Sequence, residues 1–219
     1  MNRYPDNETY KNLYARFYNG RTAQELLKLA YPIRGTTVLD LCGGEGRLGL
    51  KAVQGGARFV WLVDKEKSMV NVPILPRMDV IISSVEEFLG QWQCGDQDMH
   101  YDRVLCQQAV NYWLDASYAA IVAKLLNPGG IFVFNTFYKK PSEEPTVKKY
   151  GLGDKKFVEV SWLVRDTVHH VQIREGLPSH ATSFQWLSPA RLIEILTPHF
   201  EVDIKVEGNS SLYRCIKAA

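Results

Sequence analysis

The chain has 219 residues, of which 46% are apolar and 23% charged, with a net charge of +2. That length suits one α/β domain with additions and buries a sizeable core. The small charge gives no argument for a polyanionic partner or an anionic membrane surface. The four cysteines (Cys42, Cys94, Cys106, Cys215) are scattered with no Cys-x-x-Cys pair, which predicts reduced thiols and a cytoplasmic setting. The polar opening Met1–Asp6 predicts no signal peptide. No apolar run approaches the ~20 residues of a membrane span.

Residues 8–30 read as two short helices broken near Asn19-Gly20. Tyr10, Tyr14, Phe17 and Tyr18 share one helical face. That face packs on the domain or covers a ligand.

Thr36–Leu41 is an apolar β-type run that passes through Asp40 and meets the glycine cluster Cys42-Gly43-Gly44-Glu45-Gly46. A helical pattern, 47–54, follows at once. Strand, tight turn and helix N-terminus in that order form a ligand seat: glycine admits positive φ and close approach, and the helix start offers free N–H groups. Gly44-x-Gly46-x-x-Gly49 also fits the dinucleotide fingerprint. A pyrophosphate wants positive surroundings, however, and this turn carries Asp40 and Glu45. Acids suit a cationic ligand that bears hydroxyls and an amino group.

Residues 58–63 form the second strand, ending at Asp64, 18 positions after Gly46. An acid at that place caps a helix or sits in a solvated turn, or accepts hydrogen bonds from both hydroxyls of a ribose; the glycine turn upstream favours the ribose. Residues 79–82 form the third strand. After it, Ser84 and Glu87 fit a helix capping box. Residues 101–106 make the fourth strand, which runs into Gln107-Gln108-Ala109-Val110-Asn111-Tyr112-Trp113. Amide and aromatic groups there orient a ligand without adding charge, and aromatic faces attract a cation. The helix 114–126 stops at Asn127-Pro128-Gly129-Gly130, and 131–135 is the fifth strand.

From 137 to about 156 the chain is charged and punctuated, and it reads as a solvated loop or a mobile lid. Residues 157–165 and 168–175 alternate like a β-hairpin around Asp166-Thr167. His170, Gln172 and Arg174 share one of its faces. Ser188-Pro189 opens a helix, and 200–206 and 212–217 are two closing strands.

The turn from Asp40 to Gly49 resembles motif I of the class I S-adenosylmethionine-dependent methyltransferases, whose usual form is Asp-x-Gly-x-Gly-x-Gly. Asp40, Gly44 and Gly46 match it, and Cys42 stands at its first glycine. Asp64, the 107–113 stretch and Leu-Asn-Pro-Gly-Gly before the fifth strand extend the resemblance over roughly 36–137. It implies a three-layer, Rossmann-like α/β sandwich, with a seven-stranded, mostly parallel sheet whose last strand is antiparallel. The hairpin or lid after the fifth strand is an addition to that fold. One domain is then expected over 1–219: a helical cap 1–34, a cofactor core 35–137, a lid and hairpin 138–187, and closing elements 188–219.

The resemblance further implies S-adenosyl-L-methionine as cofactor and methyl transfer to a small-molecule O- or N-nucleophile. It assigns Asp40, Cys42, Gly43, Gly44, Gly46, Asp64, Ser84, Val85, Gln107 and Tyr18 to the cofactor, with Ser84 or the Val85 backbone at the adenine. It assigns Tyr14, Asn111, Tyr112, Trp113 and Arg174 to the acceptor. An oxygen acceptor needs a base, and His170 is the candidate because Gln172 and Arg174 share its face. No metal is expected, since no His-x-x-x-His or Cys-x-x-Cys spacing occurs. A nicotinamide-dependent oxidoreductase and a catalytically silent S-adenosylmethionine-binding partner subunit stay open as alternatives. Nucleic acid is disfavoured by the charge, although the lysine pairs at 139–140, 148–149 and 155–156 keep RNA open.

Overall fold

A computed structural model describes residues 21–94, 99–137, 139–152, 155–174, 176–208 and 210–218. The side chains of 92–94, 150–152, 155, 174 and 177–178 lie outside that description. The chain divides into two compact units. The larger spans 20–138 and 189–219; the smaller comprises 1–19 and 139–188.

The larger unit is built on a seven-stranded sheet of order β10-β11-β5-β4-β1-β2-β3. Its parallel strands are β1 (Thr37–Leu41), β2 (Phe59–Asp64), β3 (Met78–Ile82), β4 (Tyr101–Gln107) and β5 (Leu126–Phe137). The closing pair is β10 (Phe200–Glu207) and β11 (Ser210–Lys217). β11 runs antiparallel to both β5 and β10, so the expected sheet with its antiparallel last strand is present.

Central strands of a parallel sheet are covered on both faces, so they read as apolar runs. All five residues of β1 are buried. On one face, α1 (Arg21–Leu29) and α2 (Arg47–Gln54) supply Ala23, Leu26, Leu48 and Ala52 to a core with Val38, Val60, Leu62, Leu105, Val133 and Leu212. Ala23 and Leu26 follow helical spacing, which is why that stripe faces inward. On the other face, Phe132, Phe134, Phe200 and Tyr213 pack together, and Phe134 stacks on Tyr213 at 4.7 Å. α3 (Val85–Cys94), α4 (Ala116–Leu125) and α5 (Pro189–Leu196) pack in series.

Several boundaries differ from the expectation. α3 runs through Gly90, which reads as the start of a loop, to Cys94. β5 begins at Leu126, so Asn127–Gly130 belongs to the strand. The first of the two expected N-terminal helices, with Tyr14 and Tyr18, lies outside the described residues.

The smaller unit contains the expected hairpin and extends it by a strand on either side. It is a four-stranded antiparallel sheet of order β6-β7-β8-β9. Its strands are β6 (Thr146–Leu152), β7 (Lys155–Val164), β8 (Thr167–Arg174) and β9 (Leu177–Gln185). β7 and β8 are the expected hairpin. β6 was expected as loop because its lysines mask the alternation. Lys148 pairs with Glu159 across the ladder, and Lys149 next to it takes the opposite face. The two lysines therefore do not form one basic patch. β9 is rich in Ser, His and Thr, and its strand state comes from its pairing with β8.

Candidate active site

The strand order reverses between β1 and β4. In an open α/β sheet, ligands bind outside the carboxyl ends of the strands at such a point. The carboxyl end of β1 carries Asp40 and the glycine turn; that of β4 carries Gln107.

The turn is held by short backbone bonds. The Gly43 N–H donates to Val63 O at 3.1 Å, and the Gly46 N–H to Gly43 O at 2.8 Å. Gly46 caps α2 with φ 71° and no side-chain cap. A Cβ on Gly46 would stand 2.1 Å from Val72 Cγ1 and 2.9 Å from Leu62 Cδ1. On Gly43 it would stand 2.6 Å from Leu62 Cγ. Both glycines are therefore required by packing against β2. Gly44 differs: at φ 51°, its nearest neighbour to an added Cβ is Asp64 Oδ2 at 4.0 Å. Bare main chain with open space beside it is what a closely approaching ligand needs.

Asp40 is 1% exposed. Its Oδ2 accepts the Gly49 N–H at 2.8 Å, which ties α2 to β1. Its Oδ1 is buried and has no hydrogen-bond partner among the described residues. Burial pushes its pKa up to about 7; the Gly49 bond opposes the rise and the nearby Asp64 charge adds to it. The buried acid is thus poised between its neutral and charged forms.

Asp64, at the end of β2, accepts the Gly44 N–H on Oδ2 at 2.8 Å and the Glu66 N–H on Oδ1 at 2.9 Å. Each oxygen has a further lone pair. Glu45 Oε2 pairs with Arg47 at 2.6 Å, so the second acid of the turn carries its own cation.

Cys42 takes φ 54°, the conformation that favours the glycine it replaces. Its thiol hydrogen-bonds Cys106; that bond and burial push its pKa well up. Cys106 ends beside it because it pairs with Leu41 in the ladder. A raised pKa keeps the Cys42 thiol protonated and therefore weakly nucleophilic.

Ser84 and Glu87 form the expected capping box. The Glu87 N–H donates to Ser84 Oγ and the Ser84 N–H to Glu87 Oε2, both at 3.1 Å. The Ser84 backbone bond lowers the Glu87 pKa, and so does the Ser84 side chain, which also bonds the Glu87 carboxylate. Val85 is 4% exposed and begins α3.

After Gln107 the chain turns through Gln108, which has φ 58°, into a 3₁₀ turn over Val110–Tyr112. Asn111 is buried, and its Oδ1 accepts from Thr136 Oγ1. Tyr112 is 44% exposed, whereas Trp113 is buried against Phe132 and Tyr118. The stretch thus divides between surface and core.

His170 lies in the smaller unit, on β8. Its Nε2 is 3.7 Å from Glu159 Oε1, and Gln172 Nε2 donates to the same oxygen at 2.9 Å. Burial lowers the His170 pKa below its usual value; Glu159 opposes this and Lys148 adds to it. Glu159 was missed in the sequence; the signal available was its facing position to Gln172 in the β7–β8 ladder. The side chain of Arg174 lies outside the described residues. Among the described residues, no group of three or more His, Cys, Asp or Glu could hold a metal, and no helix is long and apolar enough to cross a membrane.

No protein-family model matches the chain, and no curated protein matches it. Solved structures do. An S-adenosylmethionine-dependent methyltransferase from Clostridium acetobutylicum is 15% identical and superposes with a TM-score of 0.72, covering 97% of both chains. CalS10, an amino pentose methyltransferase from Micromonospora echinaspora, is 16% identical with a TM-score of 0.69 over 100% of this chain and 99% of its own. The sugar N-methyltransferase KedS8 from a Streptoalloteichus species is 15% identical with a TM-score of 0.67 over 94% and 93%. With its seven-stranded sheet, glycine turn and antiparallel last strand, the chain has the Rossmann-like fold of the S-adenosylmethionine-dependent methyltransferases.

Proposed function

We propose that the chain is an S-adenosyl-L-methionine-dependent methyltransferase acting on a small molecule with an O- or N-nucleophile. The observation that carries this reading is the chemistry of the β1–β2 ends. A buried carboxylate oxygen without a partner among the described residues, Asp40 Oδ1, stands beside a second carboxylate at a glycine turn with open main chain at Gly44. A buried carboxylate with one oxygen left unbonded repels a pyrophosphate and, when charged, attracts a cation. A sulfonium cofactor bears positive charge, a ribose diol and an amino group, and the donor set matches all three.

In this reading Asp64 holds the ribose hydroxyls, the main chain of Gly43, Gly44 and Gly46 flanks the cofactor, and Asp40 supplies the negative field. Ser84 and the start of α3 at Val85 offer a hydroxyl and a backbone N–H to the adenine edge. Gln107 orients the methionine end, with Tyr18 alongside. When bound, the cofactor supplies an electrophilic methyl group. In-line transfer builds little new charge, so the protein contributes chiefly by placing the acceptor. Tyr14, Asn111, Tyr112, Trp113 and Arg174 are the residues proposed for that. His170, whose pKa burial lowers, is proposed to take the proton of an oxygen acceptor; an amine needs only to arrive uncharged.

The similarity to an amino pentose methyltransferase and a sugar N-methyltransferase supports amino sugars as the first acceptors to try. Titration calorimetry with S-adenosylmethionine and with NAD tests the cofactor. Binding of the first alone is expected, and binding of NAD alone overturns the reading. Mass spectrometry for a product one CH₂ heavier, across amino and hydroxyl sugars, tests the reaction by the purified chain.

A further inference from the structure

Asn135 lies near the carboxyl end of β5, opposite Gln107 on β4 and Leu212 on β11. It is 1% exposed, and both of its ladder neighbours along β5 on that face, Ile131 and Val133, are core residues. A primary amide is an expensive side chain for such a place, because a buried polar group costs free energy unless it is bonded. The bond it makes within the fold is specific: its Oδ1 accepts the backbone N–H of Gln108 at 3.1 Å. Its Nδ2 is buried with no partner among the described residues.

Gln108 is where β4 ends and the chain turns. It takes φ 58°, a left-handed conformation that a side chain other than glycine adopts at a cost. The Asn135 bond holds that conformation from the neighbouring strand. The next residue, Thr136, bonds Asn111 at the far end of the same turn. Parity places Asn135 on the face that carries Asp40, since Leu105 pairs with both Asp40 and Val133 and lies two residues before Gln107.

We propose that Asn135 is a positioning residue for the cofactor. Its side-chain carbonyl clamps the Gln108 N–H and thereby fixes the direction in which Gln107 leaves β4. The inference rests on the proposed S-adenosylmethionine site, in which Gln107 meets the methionine end. It assigns a role that β5 would not otherwise have, because the function of Asn135 is exerted through the turn and not by touching the ligand.

The test uses S-adenosylhomocysteine as the probe, whose neutral sulfur removes the sulfonium charge from the comparison. Affinity by calorimetry and Tm are measured on the full chain. Asn135→Ala is expected to bind roughly tenfold more weakly, the equivalent of one hydrogen bond. Adding Gln108→Gly to Asn135→Ala is expected to recover most of that affinity, because glycine takes the left-handed conformation without a clamp. A residue that serves stability alone would lower Tm and leave affinity unchanged, so wild-type affinity in folded Asn135→Ala overturns the proposal, as does failure of Gln108→Gly to recover it. Should Asn135→Ala not fold, Asn135→Asp keeps the acceptor oxygen and is expected to retain wild-type affinity; a tenfold loss there overturns the clamp. Absence of binding by the wild-type chain overturns the cofactor reading and this inference together, whereas wild-type binding unchanged by the variants overturns this inference alone.

Discussion

Asp64 Oδ2 accepts the Gly44 N–H at 2.8 Å, so the acid at the end of β2 holds the turn that follows β1. Its other oxygen holds the Glu66 N–H at 2.9 Å. One carboxylate thus shapes the glycine turn and keeps a further lone pair on each oxygen. Both tasks follow from its place at a strand end beside the reversal of strand order.

Asp64→Ala is therefore expected to weaken S-adenosylmethionine binding by about ten- to a hundredfold, the loss of hydrogen bonds to a charged acceptor at ~1.5–3 kcal/mol. Tm should fall as well, by a few degrees, since two backbone donors lose their acceptor. Asp64→Asn retains one acceptor oxygen and should lie between. Unchanged calorimetric affinity in Asp64→Ala removes Asp64 from the ribose role.

Gly44 and Gly46 should separate packing from ligand approach. Gly46→Ala drives a methyl group to within van der Waals overlap of Val72 and Leu62. Overpacking of that kind costs ~1–3 kcal/mol, read as a drop of several degrees in Tm. Gly44→Ala meets open space apart from Asp64. Its cost to stability is confined to the left-handed backbone, and its larger effect should be on cofactor affinity. Equal effects of both substitutions on both measurements would contradict this division.

The buried Asp40 gives a pH dependence of definite sign. Its folded pKa, about 7, lies above the ordinary 3.8. Between those values the folded chain holds the proton more tightly than the unfolded chain, so this group's contribution to stability falls as pH rises through that window and is level above it. Asp40→Asn keeps an oxygen for the Gly49 N–H and removes the titration. The variant should be more stable than the wild type at pH 8, with a smaller difference at pH 5. It should also lose affinity for S-adenosylmethionine more than for S-adenosylhomocysteine, whose sulfur is neutral, because only the former presents a sulfonium to the carboxylate. Parallel melting curves at the two pH values would show that Asp40 ionises in the fold as freely as in water.

The sequence made the sheet around the site legible because its strands are apolar runs punctuated by glycine. Val38, Leu39 and Leu41 are fully buried, and the turn after them is forced by Gly43 and Gly46. Asp64 was legible from its place at a strand end. β6 and β9 were not, because Lys148, His180 and Thr182 owe their strand state to partners on β7 and β8. For the same reason the proposed role of Asn135 and the pairing of Glu159 with Gln172 were hidden. Each is defined by a ladder register, Gln107 with Asn135 and Glu159 with Gln172, and not by neighbours in the chain.

The smaller sheet supplies a kinetic test of His170. Burial lowers its pKa and Glu159, 3.7 Å away, raises it; Lys148 on β6 acts in the same direction as burial. If His170 is the base for an oxygen acceptor, turnover falls as pH drops through its folded pKa, since protonated imidazole accepts no proton. Glu159→Gln removes the raising influence, so the acidic limb should move to lower pH while cofactor affinity stays as it was. Lys148→Ala should move it the other way. His170→Ala should lower turnover by roughly 10²–10⁴-fold, the range of general base catalysis, and abolish that limb. An amine acceptor predicts a different pattern: a limb set by the substrate's own ammonium group, unmoved by either substitution. Full turnover by His170→Ala with an oxygen acceptor excludes His170 as the base.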